Sequence, residues 1–319
     1  MMKGRQSVCA VVVTYNRKEL LGGCLEAICA QSYPVDRILV IDNASTDGTR
    51  EFLQARSYDA SGRIEHVLLP ENGGGAAGFH EGFKRALATG ADWIWAMDDD
   101  GVPEVHCLEH LLNVGGLAET AQFLGPLVLG REEIDDPATD LLAFHGGVEQ
   151  DGELKLLQSR SDVERYAQAG VLRGYACTFN GVLIHRSVVQ RIGLPDARFF
   201  IWGDEWDYLM RARELEITVT TVTPALYWHP VDRSKREQIK VAGLRYEVPC
   251  AADKARSYLL VRNYAYLAYR YRGVVAWIRH TIKYVLLHRT PAGCFSSWDV
   301  LRFSFEGMTG RFHGKGDFA

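Results

Sequence analysis

Short apolar runs alternate with helix-like segments through the first hundred residues, and this alternation limits most strongly what the chain can fold into. The runs are Val8–Val13, Arg37–Ile41, Ile64–Leu69 and Trp93–Met97. Runs rich in valine and isoleucine are typical of strands buried on both faces. Strands and helices in alternation predict an α/β fold, with a mostly parallel sheet and helices on both sides.

The segments between these runs have helical features. Lys18–Ala30 places its leucines on one stripe, as an amphipathic helix does. Thr49–Ala55 follows Ser45-Thr46-Asp47, which are favoured capping residues. Ala76–Ala88 is the third predicted helix. With 47% hydrophobic residues in 319, the chain can bury a sizeable core.

Residues beyond 100 are less regular. Gly125-Pro126 and His145-Gly146-Gly147 are expected to mark turns. Phe179–Ile184 is predicted to be a strand, and a helix is expected to end at Leu215. A further strand, Ile217–Val222, is expected before Tyr227-Trp228-His229-Pro230.

Polar residues follow each of the first four strands. They are Thr14 to Arg17, Asp42-Asn43, Glu71-Asn72-Gly73-Gly74 and Asp98-Asp99-Asp100. In parallel sheets, ligands bind beyond the carboxyl ends of the strands. These residues are therefore the candidate site.

The Asp98-Asp99-Asp100 triplet points to a cation. Alternate residues of an extended chain face the same side, so Asp98 and Asp100 can face one ion. Carboxylate oxygens suit Mg²⁺ or Mn²⁺. A solvated acidic turn is the alternative. His229 follows a predicted strand and can complete an oxygen-rich site with nitrogen, although a single histidine is more often structural.

Two further features admit both a ligand role and a structural one. An acid such as Asp42 at a strand end often receives a ribose hydroxyl or a base edge; its alternative is to cap the Thr49 helix, with Asp47 as the rival cap. The glycine run from Asn72 lets backbone approach an anion at a helix start. It lacks the lysine of a P-loop, which argues against an ordinary P-loop hydrolase.

Acids also cluster at a predicted helix start in Gly203-Asp204-Glu205-Trp206-Asp207. Helix capping explains such a cluster. The functional alternative is a general base that removes a proton from an attacking hydroxyl. The neighbouring aromatic residue Trp202 suits either a sugar face or the core.

Together these motifs resemble the family 2 inverting glycosyltransferases with the GT-A fold. The resemblance rests on Val11–Arg17, Val40–Thr49, Asn72–Gly75, Met97–Asp100 and Gly203–Asp207, in the family's order over about residues 7–230. It implies one nucleotide-binding, mostly parallel sheet with flanking helices and a helical C-terminal extension.

The resemblance also implies roles for individual residues. Asp98, Asp100 and His229 would hold Mn²⁺ or Mg²⁺. Glu205 would be the catalytic base, with Asp204 as the other candidate. The residues expected to bind donor or acceptor are Thr14, Arg17, Asp42, Asn72, Gly73, Gly74, Asp99, Trp202 and Asp207.

Within the family the chain looks most like bacterial galactofuranosyltransferases and rhamnosyltransferases. The triple aspartate, the glycine segment ending at Phe79 and Trp228-His229 favour UDP-galactofuranose as donor. A rhamnosyltransferase using dTDP-rhamnose is the alternative. The expected acceptor is a glycan or a lipid-linked saccharide in cell-surface polysaccharide synthesis, such as O-antigen or cell wall. A nucleotidyltransferase and a non-catalytic sugar-nucleotide-binding module are the rival classes.

The predicted domains are a catalytic domain over 1–235, with a nucleotide-sugar half to about 100, and a helical region over 236–319. Residues 254–298 contain eight Lys or Arg and no acid, and they are predicted to form two helices broken near Gly273. We expect this part either to contact an anionic membrane or to pack on the catalytic domain. A net charge of -4 gives no case for nucleic acid. Seven scattered cysteines without a CxxC pair, and no long apolar segment, predict a cytoplasmic protein.

Overall fold

The computed structural model describes eight ranges of the chain. They are residues 5–55, 62–114, 123–131, 139–150, 152–231, 236–241, 243–251 and 253–312. The chain divides into two compact units. Unit 1 comprises 1–195 and 211–232, and unit 2 comprises 196–210 and 233–319.

Unit 1 is built on one large sheet. Its elements are β1 (Val8–Thr14), α1 (Lys18–Cys29), β2 (Arg37–Asp42), α2 (Thr49–Ala55), β3 (Ile64–Leu68), α3 (Gly74–Thr89), β4 (Trp93–Asp98), β5 (Val102–Pro103), α4 (Cys107–Leu112), β6 (Phe123–Arg131), β7 (Leu141–Gln150), β8 (Glu153–Ser159), α5 (Arg160–Tyr166), β9 (Val171–Arg173), β10 (Asn180–His185), α6 (Arg186–Ile192) and β11 (Val219–Pro230). Across the described ranges the strand order is β3-β2-β1-β4-β10-β6-β11-β5, with β7, β8 and β9 joined to it.

The first four strands are parallel, as predicted. β1 lies between β2 and β4, and β3 pairs with β2. β10 then runs antiparallel to both of its neighbours, β4 and β6. The register pairs Thr14 with Asp42 and Val13 with Asp98. The predicted polar residues therefore meet at one edge of the sheet, which we call the carboxyl edge.

Helix α3 lies unusually close to β1. A Cβ added to Gly78 would stand 2.4 Å from Cγ1 of Val13, and one added to Gly82 would stand 2.3 Å from Cγ1 of Val11. Carbon atoms pack at about 3.5–4.0 Å, so neither site has room for a side chain. These glycines permit helix–sheet packing.

Two expected turns are wrong. Gly125-Pro126 lies inside β6, and His145-Gly146-Gly147 lies inside β7. The glycines make room for side chains instead. A Cβ on Gly125 would be 2.7 Å from Cβ of Ala176, and one on Gly146 would be 2.2 Å from the Tyr175 ring.

The predicted strand after residue 217 is longer than expected. β11 continues to Pro230, so His229 lies within the strand and not after it. The pairing of β11 with β6 shifts register between Val222 and Leu226. Pro224 lies in that shifted stretch, and proline is confined to edges and irregularities of sheets because it cannot donate to the ladder.

Unit 2 is mainly helical. Its elements are a 3-10 helix (Ala197–Phe199), the first part of α7 (Asp204–Glu214), the hairpin β12 (Arg236–Val241) and β13 (Leu244–Pro249), α8 (Lys254–Leu287) and α9 (Ser297–Met308). The predicted break near Gly273 is confirmed, since Gly273 has φ 78° and ψ -176° inside α8. Tyr258, Leu260, Tyr284 and Phe303 form the centre of this unit's core. Among the described helices, none is long and apolar enough to cross a membrane.

Candidate active site

Three predicted metal ligands come together at the carboxyl edge. Asp98 ends β4, Asp100 follows it in the turn before β5, and His229 lies near the end of β11. One ligand atom from each residue lies within 4.8 Å of the other two. Two carboxylates and an imidazole are a donor set that a divalent cation accepts.

The hydrogen bond of His229 orients its ring for such a role. Nδ1 lies 2.7 Å from the carbonyl oxygen of Pro230. A carbonyl can only accept, so Nδ1 donates its hydrogen to it. Nε2 faces the turn, 3.0 Å from Oδ1 of Asp100. Metal-ligating histidines are commonly fixed in this way, by a backbone carbonyl at the other ring nitrogen.

Like charges crowd the acidic turn. Burial, reinforced by the charges of Asp100 and Asp99, raises the pKa of Asp98 to about 8. Burial also raises the pKa of Asp99 to about 6. For Asp100 burial is outweighed by His229, whose hydrogen bond and charge lower the pKa of the carboxyl. A divalent cation between Asp98 and Asp100 would offset this repulsion, so the residues present fit Mg²⁺ or Mn²⁺.

Asp99 links the acidic turn to the end of β1 and the residues that follow it. Oγ1 of Thr14 donates to Asp99 Oδ2 at 2.6 Å. Nη1 of Arg17 lies 3.4 Å from Asp99 Oδ1 and donates to Asp100 Oδ2 at 2.8 Å. Three residues predicted to bind the donor, Thr14, Arg17 and Asp99, thus lie together beside the metal ligands. Their contacts with a donor stay predictions.

Asp42 is not the cap of α2. Asp47 has that role, because its Oδ1 accepts from the backbone N–H and the hydroxyl of Thr49. Asp42 is buried and accepts from the N–H of Ser45 at 2.8 Å, and its Oδ2 lies 3.0 Å from Nε2 of His66. The partners at Ser45 and His66 outweigh burial and lower the pKa of Asp42. His66 was not among the predicted site residues.

The glycine run forms the start of α3, as expected. Gly73 occupies the cap position, and Gly74 has φ 77°. The Oδ1 atom of Asn72 accepts from the N–H of Gly74 at 2.9 Å. Asn72 therefore closes the turn into the helix, and its predicted contact with a diphosphate stays a prediction.

The predicted base lies at the start of α7, in unit 2. Glu205 is partly buried, and its Oε2 accepts from the N–H of Gly203 at 3.0 Å. Asp204 is buried beside it. Asp207 is also buried and accepts from the Tyr271 hydroxyl at 2.7 Å. The hydrogen bond from Tyr271, which is also in unit 2, thus holds Asp207. The described hydrogen-bond donor of Glu205 is the nearby backbone N–H of Gly203.

A strained loop precedes this helix start. Phe200 and Trp202 have φ of 69° and 61°, in the left-handed region that side chains rarely adopt. Nδ2 of Asn263 lies within hydrogen-bond distance of the carbonyls of Phe199, Ile201 and Trp202, at 3.0, 2.9 and 2.7 Å. Asn263 was not among the residues predicted to form the site. The only sequence signal for Asn263 was that an amide side chain follows Arg262 within an otherwise aromatic and basic segment.

Tyr227 supports the acidic turn and was also missed as a site residue. Its side chain is fully buried two positions before His229. A Cβ on Gly101 would stand 1.6 Å from the Tyr227 hydroxyl oxygen, and one on Gly181 would stand 2.7 Å from its ring. The ring therefore packs directly on the backbone that follows Asp100. These positions are too far apart in sequence for any local pattern to reveal the contact.

Comparison with known proteins agrees with the predicted family and fold. Residues 9–130 match glycosyl transferase family 2. The chain is 31% identical to galactofuranosyltransferase GlfT1 of Mycolicibacterium smegmatis, over 83% of this chain and 84% of that protein. It is 31% identical to galactofuranosyltransferase GlfT1 of Mycobacterium tuberculosis, over 98% of this chain and 99% of that protein.

Two solved structures share the fold. GalNAc-T7, crystallised with UDP, GalNAc and Mn²⁺, superposes with a TM-score of 0.59 at 14% identity, over 94% of this chain and 55% of that one. S. aureus TarS 1-349 in complex with UDP gives 0.51 at 12% identity, over 96% and 72%. The predicted GT-A fold is confirmed.

The chain belongs to glycosyl transferase family 2. It is a glycosyltransferase enzyme. This identification favours the first of the predicted classes over its two rivals, a nucleotidyltransferase and a non-catalytic sugar-nucleotide-binding module.

Proposed function

We propose that this enzyme transfers galactofuranose from UDP-galactofuranose to a hydroxyl of a glycan or a lipid-linked saccharide, in the synthesis of a cell-surface polysaccharide. The choice of sugar is supported by relatives named as galactofuranosyltransferases that align along nearly the whole chain. The choice of a nucleotide diphosphate donor is supported by the UDP found in the two structures of the same fold.

The observation that carries the chemistry is the convergence of Asp98, Asp100 and His229 at the carboxyl edge. In the proposal these three residues hold Mn²⁺ or Mg²⁺. When bound, the cation would supply positive charge to the departing diphosphate. Thr14, Arg17 and Asp42 lie at the same edge, where the uridine diphosphate part is expected.

The proposed reaction is a single in-line displacement at the anomeric carbon. Glu205 takes the proton of the acceptor hydroxyl as that oxygen attacks, and Asp204 is the alternative base. The bond between the anomeric carbon and the diphosphate oxygen breaks as the new glycosidic bond forms. One displacement without a protein nucleophile inverts the anomeric configuration.

The donor and the stereochemistry can be tested together. Purified enzyme is incubated with Mn²⁺, a synthetic saccharide acceptor with free hydroxyls and one of UDP-galactofuranose, UDP-galactopyranose or dTDP-rhamnose. We expect product with UDP-galactofuranose alone, with inverted configuration by NMR and no turnover in EDTA. Product from dTDP-rhamnose would instead identify a rhamnosyltransferase, and a retained configuration would refute the single displacement.

The cytoplasmic location and a peripheral membrane contact through residues 254–298 also stay proposals. A lipid-linked acceptor would place the reaction at a membrane surface, so the two ideas are consistent with each other. The surface that would make this contact can be defined more closely from unit 2.

A further inference from the structure

The outer faces of α8 and α9 carry exposed apolar side chains. In α8 after the Gly273 break they are Val274, Val275, Ile278 and Ile282, and in α9 they are Trp298, Leu301 and Phe305. We call these seven residues the apolar ridge. Trp298 is 76% exposed and Val275 is 58% exposed. Large apolar groups gathered on one surface of a soluble unit mark a contact site more often than scattered ones do.

The ridge is one surface because of how the two helices pack. They run antiparallel, since Arg289 Nε lies 3.2 Å from Ser297 Oγ, whereas Trp277 Nε1 donates to the Ser304 carbonyl. The hydroxyls of Thr281 and Ser304 are hydrogen-bonded to each other. In an antiparallel pair, the residues that follow two facing residues project to the same side. Ile282 and Phe305 therefore lie on the same side of the helix pair.

The remainder of α8 does not contribute to this surface. From Ser257 to Asn263 its side chains are buried in unit 2, and Tyr258 packs edge-to-face on Phe303. The segment 254–298, which we expected to contact a membrane, therefore includes buried residues that cannot form part of such a surface. The apolar ridge begins beyond the Gly273 break and extends past residue 298 into α9.

Basic residues border the ridge. Arg279 lies one turn after Val275, and Lys283 lies one turn after Arg279, so they form a row beside the apolar positions. Arg272 is exposed just before the break. The helix α8 contains no acid. The acids of α9 are engaged elsewhere, since Asp299 accepts from Ser296 in a capping box and Glu306 accepts from the Tyr258 hydroxyl.

We propose that the apolar ridge and its basic border dock unit 2 on an anionic phospholipid surface. An anionic bilayer supplies both an apolar phase for valine, isoleucine and tryptophan and a negative surface for arginine and lysine. A nucleic acid offers no apolar phase. A second copy packed symmetrically on this face would bring the basic borders together, where like charges repel.

The insertion is peripheral. The apolar ridge runs along both helices, so it lies in the plane of the interface with the helix axes along it. Trp298 is of the residue type enriched at the headgroup level, where an amphipathic ring has contact with both phases.

Vesicle binding tests the docking directly and needs no donor or acceptor, so it is independent of the proposed reaction. Full-length protein is sedimented with phosphatidylcholine vesicles, with and without phosphatidylglycerol. We expect binding only to the anionic vesicles, weakened at high salt. The triple variant Val275→Ser, Ile278→Ser, Ile282→Ser should bind at least tenfold more weakly, and Arg279→Glu with Lys283→Glu should abolish the preference for anionic lipid.

Leu154→Ser with Leu156→Ser is the matched control, because these exposed leucines of β8 lie in unit 1. The control should bind vesicles as the natural chain does, and all variants should keep the same melting temperature. Equal weakening by control and ridge variants would overturn the proposal, as would absence of binding to anionic vesicles. Concentration-dependent dimerisation that the ridge variant abolishes, without vesicle binding, would assign the surface to a second copy and overturn it too.

Discussion

The acidic turn of unit 1 and the acidic start of α7 in unit 2 are built from the same residue types in different surroundings. At Asp98 to Asp100 three carboxyl groups are crowded and largely buried, and burial together with the charges of Asp100 and Asp99 raises the pKa of Asp98. At the start of α7 the carboxylates have donors beside them, from Gly203 to Glu205 and from Tyr271 to Asp207. Crowded acids gain from a cation, whereas acids with their own donors can hold a structure or accept a proton.

The largest predicted effect follows from removing one of the crowded acids. Asp100→Ala should lower turnover about a thousandfold, because the proposed cation, which would offset the diphosphate charge, would lose a ligand. Titration calorimetry should show the loss of Mn²⁺ affinity in the same variant. Asp140→Ala, the same change at an exposed position of unit 1, is the control. Near-normal turnover of Asp100→Ala, or full activity in EDTA, would contradict a cation at this turn.

The second prediction separates proton transfer from cation binding. Glu205→Gln keeps an oxygen that can accept from Gly203 but cannot take a proton, so kcat should fall about a hundredfold or more. Mn²⁺ affinity and KM for the donor should be unchanged, since the proposed metal ligands and the proposed uridine diphosphate contacts lie in unit 1. Asp204→Asn is the matched comparison. A larger loss in Asp204→Asn would show that Asp204 is the base and that the assignment of Glu205 is wrong.

Parts of this contrast were predictable from sequence because their causes are local. Continuous apolar runs mark strands buried on both faces, and parallel strands must end at the same edge, so the position of Asp42 and Asp98 follows from the pattern. The break at Gly273 follows from the backbone freedom of glycine, which adopts φ 78° there.

Other parts have causes that are distant in sequence. Gly125 and Gly146 look like turn residues, but Ala176 and Tyr175 fill the space left by their missing side chains. His66 faces Asp42 only because β3 pairs with β2. Asn263 contacts carbonyls more than 60 residues earlier, so only the fold reveals it. Local sequence patterns indicate which backbone conformation a residue permits. The contacts of these four residues depend instead on partners that are distant in sequence.

The third prediction tests whether the strained loop before Glu205 depends on α8. Asn263→Leu keeps a similar volume but leaves the carbonyls of Phe199, Ile201 and Trp202 without this donor. We expect a loss of about 2–3 kcal/mol in the free energy of unfolding, measured with urea. In the folded variant kcat should fall while Mn²⁺ affinity is kept. Ser257→Ala removes another buried polar group of α8 and is the control. Its losses of unfolding free energy and of kcat should both be smaller than those of Asn263→Leu. Unchanged stability and kcat would show that the loop holds its shape without Asn263.

The smallest predicted effect concerns two histidines in different surroundings. Asp100 raises the pKa of His229 against the effect of burial. Burial lowers the pKa of His280 to about 4, the charge of Lys283 adds to this shift, and the ring donates from Nε2 to the Val261 carbonyl at 3.0 Å. No acid in α8 opposes the shift.

A depressed histidine pKa makes the folded state bind fewer protons than the unfolded state between the two pKa values. Stability should therefore fall as the pH drops from about 6.5 towards 4, where His280 itself becomes charged. His280→Gln keeps a donor for Val261 and does not titrate, so by pH 4.5 it should gain about 2 kcal/mol relative to the natural chain. Urea unfolding at several pH values measures this difference. The exposed His110→Gln is the control for a histidine-to-glutamine change. A curve for His280→Gln parallel to the natural one would mean that the His280 ring is protonated in the folded protein as readily as in the unfolded chain.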